Sequence, residues 1–360
     1  MRGAGRARPS HYHRAVPEFV PGLALARAFY AETVAPLVAG VPHAAARIGW
    51  GSEVLGFDTE RSTDHGWGPR VQLFVAPDVV DEVRGALEHG LPDDFRGWPT
   101  RFGWDDVPVT HHVEIVELRA WLEERLGFDP RDGMEVDDWL ALPQQLLLEV
   151  TRGAVFHDPD GELARLRDTL AWYPHDVWLW LLACQWTRVD QEEPFAGRAA
   201  EVGDELGSAV LAARQARDLM RLCFLLEREY APYGKWLGTA FRSLDAFADV
   251  GPPLSHALAV ANYPEREEAL VEAALAVARR HNAAGLTREV PADVDLFHGR
   301  PFRVLRSGRF VEACLERVQD ARLTSLPPIG GIDQWVDSTD VLSKPEVAWH
   351  ARALYRAARP

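Results

Sequence analysis

The residues with the most chemistry to offer lie in one run, Gly51-Ser52-Glu-Val-Leu-Gly-Phe-Asp58-Thr-Glu-Arg-Ser62-Thr63-Asp64-His65-Gly66-Trp67. Glycine has no Cβ, so a Gly51-Ser52 turn lets backbone amides and a hydroxyl come close to phosphate oxygens. Carboxylates next to such a turn hold Mg²⁺, which bridges phosphates and stabilises charge during in-line transfer. The candidates for metal ligation are Asp64, Asp58 in the turn before it, and Glu114 in the apolar setting Val113-Glu114-Ile115, with Glu117 second. Side chains on a strand repeat every two residues, so two acids two apart would share a face. Gly66 stands two beyond Asp64, where the second acid would fall. Shifting the register by one puts Thr63 and His65 at those positions, and neither register supplies both acids.

These groups need a sheet to hold them. Ala45–Trp50 is short, apolar and followed by Gly51-Ser52, as a buried strand would be. Arg70–Ala76 reads as a second strand ended by Pro77-Asp78, and Asp78 is placed to cap a helix over 78–89. Thr110–Leu118 is a third strand and Thr151–His157 a fourth, entering the turn Asp158-Pro-Asp-Gly161. Ahead of them, Phe19–Val38 has helical spacing with Leu25, Phe29 and Val34 toward one side. After residue 161 the texture is helical, over 162–173, 176–188, 198–230, 234–248 and 265–282. Pro174, Pro194, Pro232 and Pro252-Pro253 are the expected breaks. In the 198–230 run, Leu206, Val210, Ala213, Leu219, Cys223 and Leu226 form one apolar stripe.

The bulk composition limits the setting. The 360 residues are 47% apolar and 26% charged, with a net charge of −15. That balance fits two globular domains and argues against broad nucleic-acid binding, which relies on clustered Lys and Arg. The most apolar segment, 23–41, is interrupted by Arg27, Glu32 and Pro36, so no membrane span is expected. Met1–Arg14 is basic but lacks the apolar core of a secretory signal. Cys184, Cys223 and Cys314 sit among apolar neighbours, as reduced thiols in a cytoplasm would. His11, His13, His111 and His112 lack zinc-type partners. Of 39 basic residues only Lys235 and Lys344 are lysine, which singles out positions where a compact ammonium replaces a planar guanidinium.

The Gly51-Ser52 to Asp64 run resembles the nucleotidyltransferase superfamily that includes the kanamycin and streptomycin adenylyltransferases and the small antitoxin nucleotidyltransferases. Their pattern is Gly-Ser, a spacer of about ten, then Ser-Asp-x-Asp. Nearly the whole chain, about 17 to 345, further resembles an uncharacterised bacterial family described as nucleotidyltransferase-like with a helical C-terminal domain. That likeness rests on Asp64-His-Gly-Trp-Gly-Pro-Arg70, Trp139-Leu-Ala-Leu-Pro-Gln, Gly203-Asp-Glu-Leu-Gly-Ser208 and Tyr230-Ala-Pro-Tyr-Gly-Lys-Trp236, with Arg300-Pro-Phe302 and Ile332-Asp-Gln-Trp-Val-Asp-Ser-Thr-Asp340.

The resemblance implies an α+β protein in four parts. A disordered tail over 1–16 precedes a nucleotidyltransferase-like mixed β-sheet flanked by helices over 17–160. An all-α helical bundle follows over 161–345, with a final helix or tail over 346–360. It also implies ATP or another NTP with Mg²⁺, Asp64 and Glu114 as catalytic metal-holding acids, and Gly51, Ser52, Arg70 and Lys235 as nucleotide-binding residues. Asp333, Asp337 and Asp340 could add ligands, whereas Asp204, Glu205 and Ser208 read as caps. The expected reaction moves a nucleoside monophosphate to a hydroxyl or amine of a small-molecule or protein acceptor. The alternative is a non-catalytic nucleotide- or partner-binding protein on a degenerate nucleotidyltransferase fold, with Gly66 as its main support.

Overall fold

The computed structural model describes residues 17–357, which divide into two compact units. One comprises the residues up to Glu117 together with Gly153–Pro159, the other Leu118–Arg152 and the residues from Asp160 on. The tail expected over 1–16 lies outside the described residues.

The first unit opens with α1 (Gly22–Phe29), which passes through a wider turn at Tyr30–Val34 into α2 (Ala35–Leu37). The predicted inward face is observed: Leu25, Phe29 and Val34 are fully buried. Then follow β1 (Ala44–Arg47), α3 (Ser52–Leu55), β2 (Arg70–Phe74) and α4 (Val80–Gly90). A small ribbon, β3 (Asp94–Phe95) with β4 (Trp98–Pro99), precedes β5 (Arg101–Trp104) and β6 (Val107–Val116), and β7 (Ala154–His157) comes last. Five strands form one mixed sheet in the order β5-β6-β2-β1-β7. β1 is antiparallel to β2 and to β7, β2 is parallel to β6, and β5 is antiparallel to β6. Ala45, Val71, Leu73 and Val113 join Leu25, Phe29, Val83 and Leu87 in the core. Each fully buried Val or Leu there contributes about 1.5–3 kcal/mol relative to exposure. All five residues of β2 are buried, including Arg70 and Gln72, so both faces of this central strand are covered. Asp78 does not cap α4; it lies in a 3₁₀ turn ahead of it, without a capping bond.

The second unit is built from helices: α5 (Leu118–Leu126), α6 (Val136–Ala141), α7 (Gln144–Thr151), α8 (Glu162–Thr169), α9 (His175–Glu192), α10 (Phe195–Glu201), α11 (Glu205–Glu227), α12 (Gly234–Phe241), α13 (Phe247–Ala259), α14 (Tyr263–Ala283) and α15 (Gly308–Leu315). Short helices α16 (Ala321–Thr324), α17 (Ile332–Trp335), α18 (Thr339–Ser343), α19 (Pro345–Ala348) and α20 (Arg352–Ala357) complete it. A two-residue pair, β8 (Asp295–Leu296) with β9 (Arg303–Val304), interrupts the helical pattern. The protein is thus α+β, with a mixed sheet and a helix-rich remainder. α9 is buried on nearly every side, from Val177 through Trp186, and packs against α11 and α15; a helix apolar all round belongs at a centre.

Several expectations need correction. The contacts do not divide the chain once near residue 160, because 118–152 folds with the helices while Gly153–Pro159 returns to supply β7. The helix expected over 198–230 breaks at Val202-Gly203, where the Asp204 carboxylate accepts from the Gly207 N–H at 2.8 Å and starts α11. Of the expected stripe, Leu219 and Cys223 are buried but Leu206, Val210 and Ala213 are exposed; in that first half α11 instead buries Ser208, Ala212 and Gln215, with Asp218 further along, because its polar side chains have work inside. The Ser208 hydroxyl accepts from Arg266 at 2.8 Å, and Asp218 accepts from Gln185 and Arg188. Pro252 and Pro253 do not end a helix. They lie within α13, whose packing against α14 carries it past two residues that donate no N–H.

The C-terminal segment is not a loose tail. The Tyr355 hydroxyl donates toward the carbonyls of Gly330 at 2.9 Å and Leu140 at 3.2 Å, and Arg352 pairs with Asp138. Three runs that carried the family likeness also meet in this unit: the Asp333 carboxylate accepts from the Gln144 N–H at 3.0 Å, and the Gln144 amide oxygen accepts from the Ala231 N–H at 2.6 Å. The three cysteines are free and buried, as expected. Among the described residues no helix is long and apolar enough to cross a membrane.

Candidate functional site

The turn after β1 is organised by an ion pair that the motif reading passed over. Arg47 and Glu53 are 1% and 3% exposed, and the Glu53 Oε1 accepts from Arg47 Nε at 2.9 Å and Nη2 at 2.5 Å. Arg47 also donates to the backbone carbonyls of Ile48 and Trp50. Arg70, at the start of β2, adds a second guanidinium 3.4 Å from the same Oε1, and donates to the Gly66 carbonyl at 2.6 Å. Burial alone would push the Glu53 carboxyl up, but Arg47 and Arg70 together outweigh it and hold it below its ordinary value.

Gly51 serves this pair. Its φ is +143°, and a Cβ there would lie 2.5 Å from Glu53 Oε2 and 2.7 Å from Arg47 Nη2, ends that cannot swing away. Ser52 opens α3, half-buried, and its hydroxyl has no hydrogen-bond partner among the described residues.

The three acids proposed as metal ligands are held apart by different partners. Asp58 Oδ2 accepts from the Gly22 N–H at 2.7 Å and from Trp67 Nε1 at 3.0 Å, which ties the first turn of α1 to the loop. Asp64 is exposed and pairs with His65 Nδ1 at 2.8 Å. It lies in a 3₁₀ turn, Glu60–Asp64, rather than on a strand. Ser62 closes that turn: its hydroxyl accepts from the Thr59 N–H at 3.0 Å, while its own N–H donates to the Thr59 carbonyl at 2.8 Å. Strand β2 therefore starts only at Arg70. Glu114 is the one acid where a third-strand carboxylate was expected, on β6 directly opposite Gln72. Gln72 Nε2 donates to Glu114 Oε2 at 3.2 Å, and Gln72 Oε1 accepts from the Ile48 N–H at 3.1 Å. Among the described residues no group of three or more His, Cys, Asp or Glu is placed to hold a metal ion.

The alternating pair that β2 presents beside Glu114 is thus Arg70 and Gln72, not two carboxylates. Next to it stands an aromatic wall. The Arg70 guanidinium lies 3.7 Å from the Trp50 ring centre, and Trp50, 38% exposed, meets Trp104 edge-on at 5.8 Å. Phe102 and Trp104 flank the His112 ring at 4.2 and 4.8 Å. Burial first, opposed by the bond to the Phe102 carbonyl and reinforced by Arg70, holds the His112 pKa below its ordinary value.

Gly66 lies under that wall. Its φ is +62°, and a Cβ would sit 3.3 Å from the Trp50 ring. Its place is set by turn geometry and ring packing as well as by the absence of an acid. Gly66→Asp is expected to lower stability by about 1 kcal/mol, since a short polar side chain tolerates this conformation at modest cost. It should create no Mg²⁺ binding by titration calorimetry, because Asp64 is engaged elsewhere; a new Mg²⁺ isotherm would restore the strand register read from sequence.

Lys235 belongs to the helical unit, on the first turn of α12, exposed, with its ammonium 4.9 Å from the Trp236 ring centre. Asp337 pairs with Arg217 and Asp340 with Lys344 at 3.3 Å, and among the described residues they form no metal-holding group with the buried Asp333. Sequence reasoning missed Arg47, Glu53, Gln72 and Trp50. The available signal was a lone Arg closing an apolar strand six residues before a Glu that directly follows Gly-Ser.

Residues 139–237 match the profile of a family described as a domain of unknown function (DUF4037), a stretch running from α6 into α12. No curated protein and no solved structure matches the chain.

Proposed function

We propose that this chain binds a nucleotide through its phosphates on a degenerate nucleotidyltransferase-like sheet, without transferring the nucleotidyl group. The observation that carries this reading is the pair Arg70 and Gln72, which stands beside Glu114 where two metal-holding carboxylates would otherwise stand. Two guanidiniums, Arg47 and Arg70, share the single carboxylate of Glu53, which favours an anionic ligand over a divalent cation. The Ser52 hydroxyl and the exposed Trp50 ring add a hydrogen-bonding group and a stacking surface.

Thermal melts with ATP, GTP, CTP and UTP, each with and without Mg²⁺, test this. A bound nucleotide at 100 times its Kd adds about 2.7 kcal/mol, and the increment should survive removal of Mg²⁺ and shrink in Arg70→Met. No shift with any nucleotide would sink the proposal. Mg²⁺-dependent pyrophosphate release that Asp64→Ala abolishes would instead support an active transferase, acting on a small-molecule or protein hydroxyl or amine.

A further inference from the structure

Helix α11 carries one guanidinium that no protein group receives. Arg221 is half-buried, and among the described residues it makes no hydrogen bond and no ion pair. Its Nε is sealed from solvent without a partner, whereas the Nη nitrogens, equally unbonded, stay open to it. One turn earlier Arg217 repeats the feature: its Nε is sealed and unpartnered, while its Nη1 reaches Asp337. Residues four apart share a helix face, so the two guanidiniums stand side by side. A donor taken out of water and left unmet carries its full desolvation penalty, and Arg presents five donors in a fixed fork.

The acids nearby are engaged with other groups. Asp218 accepts from Gln185 at 3.1 Å and from two nitrogens of Arg188 at 3.1 and 3.2 Å. Asp337 receives Arg217, and Asp333 the Gln144 N–H at 3.0 Å. All three act on Arg221 through space, Asp333 most, yet none bonds to it. Burial, with Arg217 adding, still holds the guanidinium below its ordinary value against their combined pull. Of the three cations here, Arg188 and Arg217 are paired; Arg221 has only the enclosed Asp333, whose carboxyl burial pushes up to about 6. Tyr173 and Tyr355 also face Asp333, and burial raises both, so neither phenol supplies charge.

We propose that Arg221, with Arg217 beside it, binds a small monocarboxylate, whose two coplanar oxygens take the open Nη groups of Arg221 as a fork. One under-compensated cation calls for one negative charge, and parallel N–H groups match a planar carboxylate. A phosphate would bring further charge and a third oxygen toward Asp218, Asp333 and Asp337. The ligand competes with Asp333 for Arg221, so it binds more tightly once Asp333 is protonated. Every residue of the site belongs to the helical unit, and the site stands independently of the nucleotide reading.

Calorimetry on the full chain with acetate, acetamide and inorganic phosphate, at ionic strength matched with sodium chloride, tests it. Acetate should bind at least ten-fold more tightly than acetamide and five-fold more tightly than phosphate. Its affinity should rise as the pH falls from 7.5 to 5.5. Asp333→Asn should tighten acetate at pH 7.5 three-fold or more and erase that trend. Arg221→Met should weaken acetate ten-fold or more. Should that variant fail to fold, Arg221→Lys, which keeps the charge and loses the fork, decides in its place with a five-fold loss. Acetate binding that is absent, matched by acetamide or phosphate, or unchanged by the Arg221 substitution would overturn the proposal.

Discussion

Glu53→Gln is expected to destabilise the sheet unit by about 3–5 kcal/mol, the range for removing one partner of a buried ion pair. The substitution keeps the side chain's size but removes the carboxylate charge that the buried Arg47 and Arg70 guanidiniums share. A Gln amide oxygen can still accept both Arg47 bonds, which meet on one oxygen, but being uncharged it cannot repay the desolvation of either cation. In urea the midpoint should fall with the slope unchanged, the signature of lost stability rather than altered compactness. A cost under about 1 kcal/mol would mean that the pair is solvated and that the turn is held by something else.

The pH dependence carries a definite sign. The Glu53 carboxyl is held below its ordinary value of 4.5 in the folded chain, so its contribution is present above that value. It is lost only as the pH falls through the lowered value, where the deficit of Glu53→Gln against the parent should shrink.

Asp333 predicts the opposite slope. Its carboxyl is fully enclosed, and burial, opposed by Arg221 and the Gln144 N–H, pushes it up from 3.8 to about 6. A raised acid stabilises the fold fully below its unfolded value and loses that contribution as pH rises through the folded one. The difference of 6 − 3.8, at 1.36 kcal/mol per unit, is about 3 kcal/mol over that window. Asp333→Asn cannot ionise and still accepts from Gln144. Its stability relative to the parent should therefore improve by roughly 2–3 kcal/mol between pH 4 and pH 7.5, read from urea midpoints. A difference that does not change with pH would show that Asp333 stays ionised throughout, held by Arg221.

What could be read from the sequence was whatever depends on short-range pattern. The inward face of α1, the start of β2 and the buried cysteines follow from apolar spacing alone, and each is present. The site was less legible because motif counting assumes that residues after Gly51-Ser52 run straight into a strand. Thr59 and Ser62 instead close a turn, which carries Asp64 outward and starts the strand six residues later, at Arg70. Arg47 and Glu53 were hidden because charge ordinarily reads as surface, and only tertiary structure shows that two charges cancel inside. The stripe on α11 failed only in its first half, for the converse reason: Ser208 and Asp218 have partners within and Gln215 lines a cleft, so Leu206, Val210 and Ala213 face outward, while Leu219 and Cys223 are buried as expected. The region 118–151 gave no periodic signal because its helices are short and, in α6 and α7, buried almost throughout, which erases the contrast between faces.

The return of Gly153–Pro159 to the sheet means that the two units are not beads on a string. The chain leaves the sheet after Glu117, lays down three helices, comes back for a single strand, and departs again. Until that strand has been made, β1 has its antiparallel neighbour β2 on one side and a bare row of amides and carbonyls on the other. A nascent sheet in that condition is adhesive toward other chains. Formation of the sheet is thereby coupled to synthesis of helices that belong elsewhere, and neither unit can be inherited, exchanged or cut away as one continuous stretch of chain.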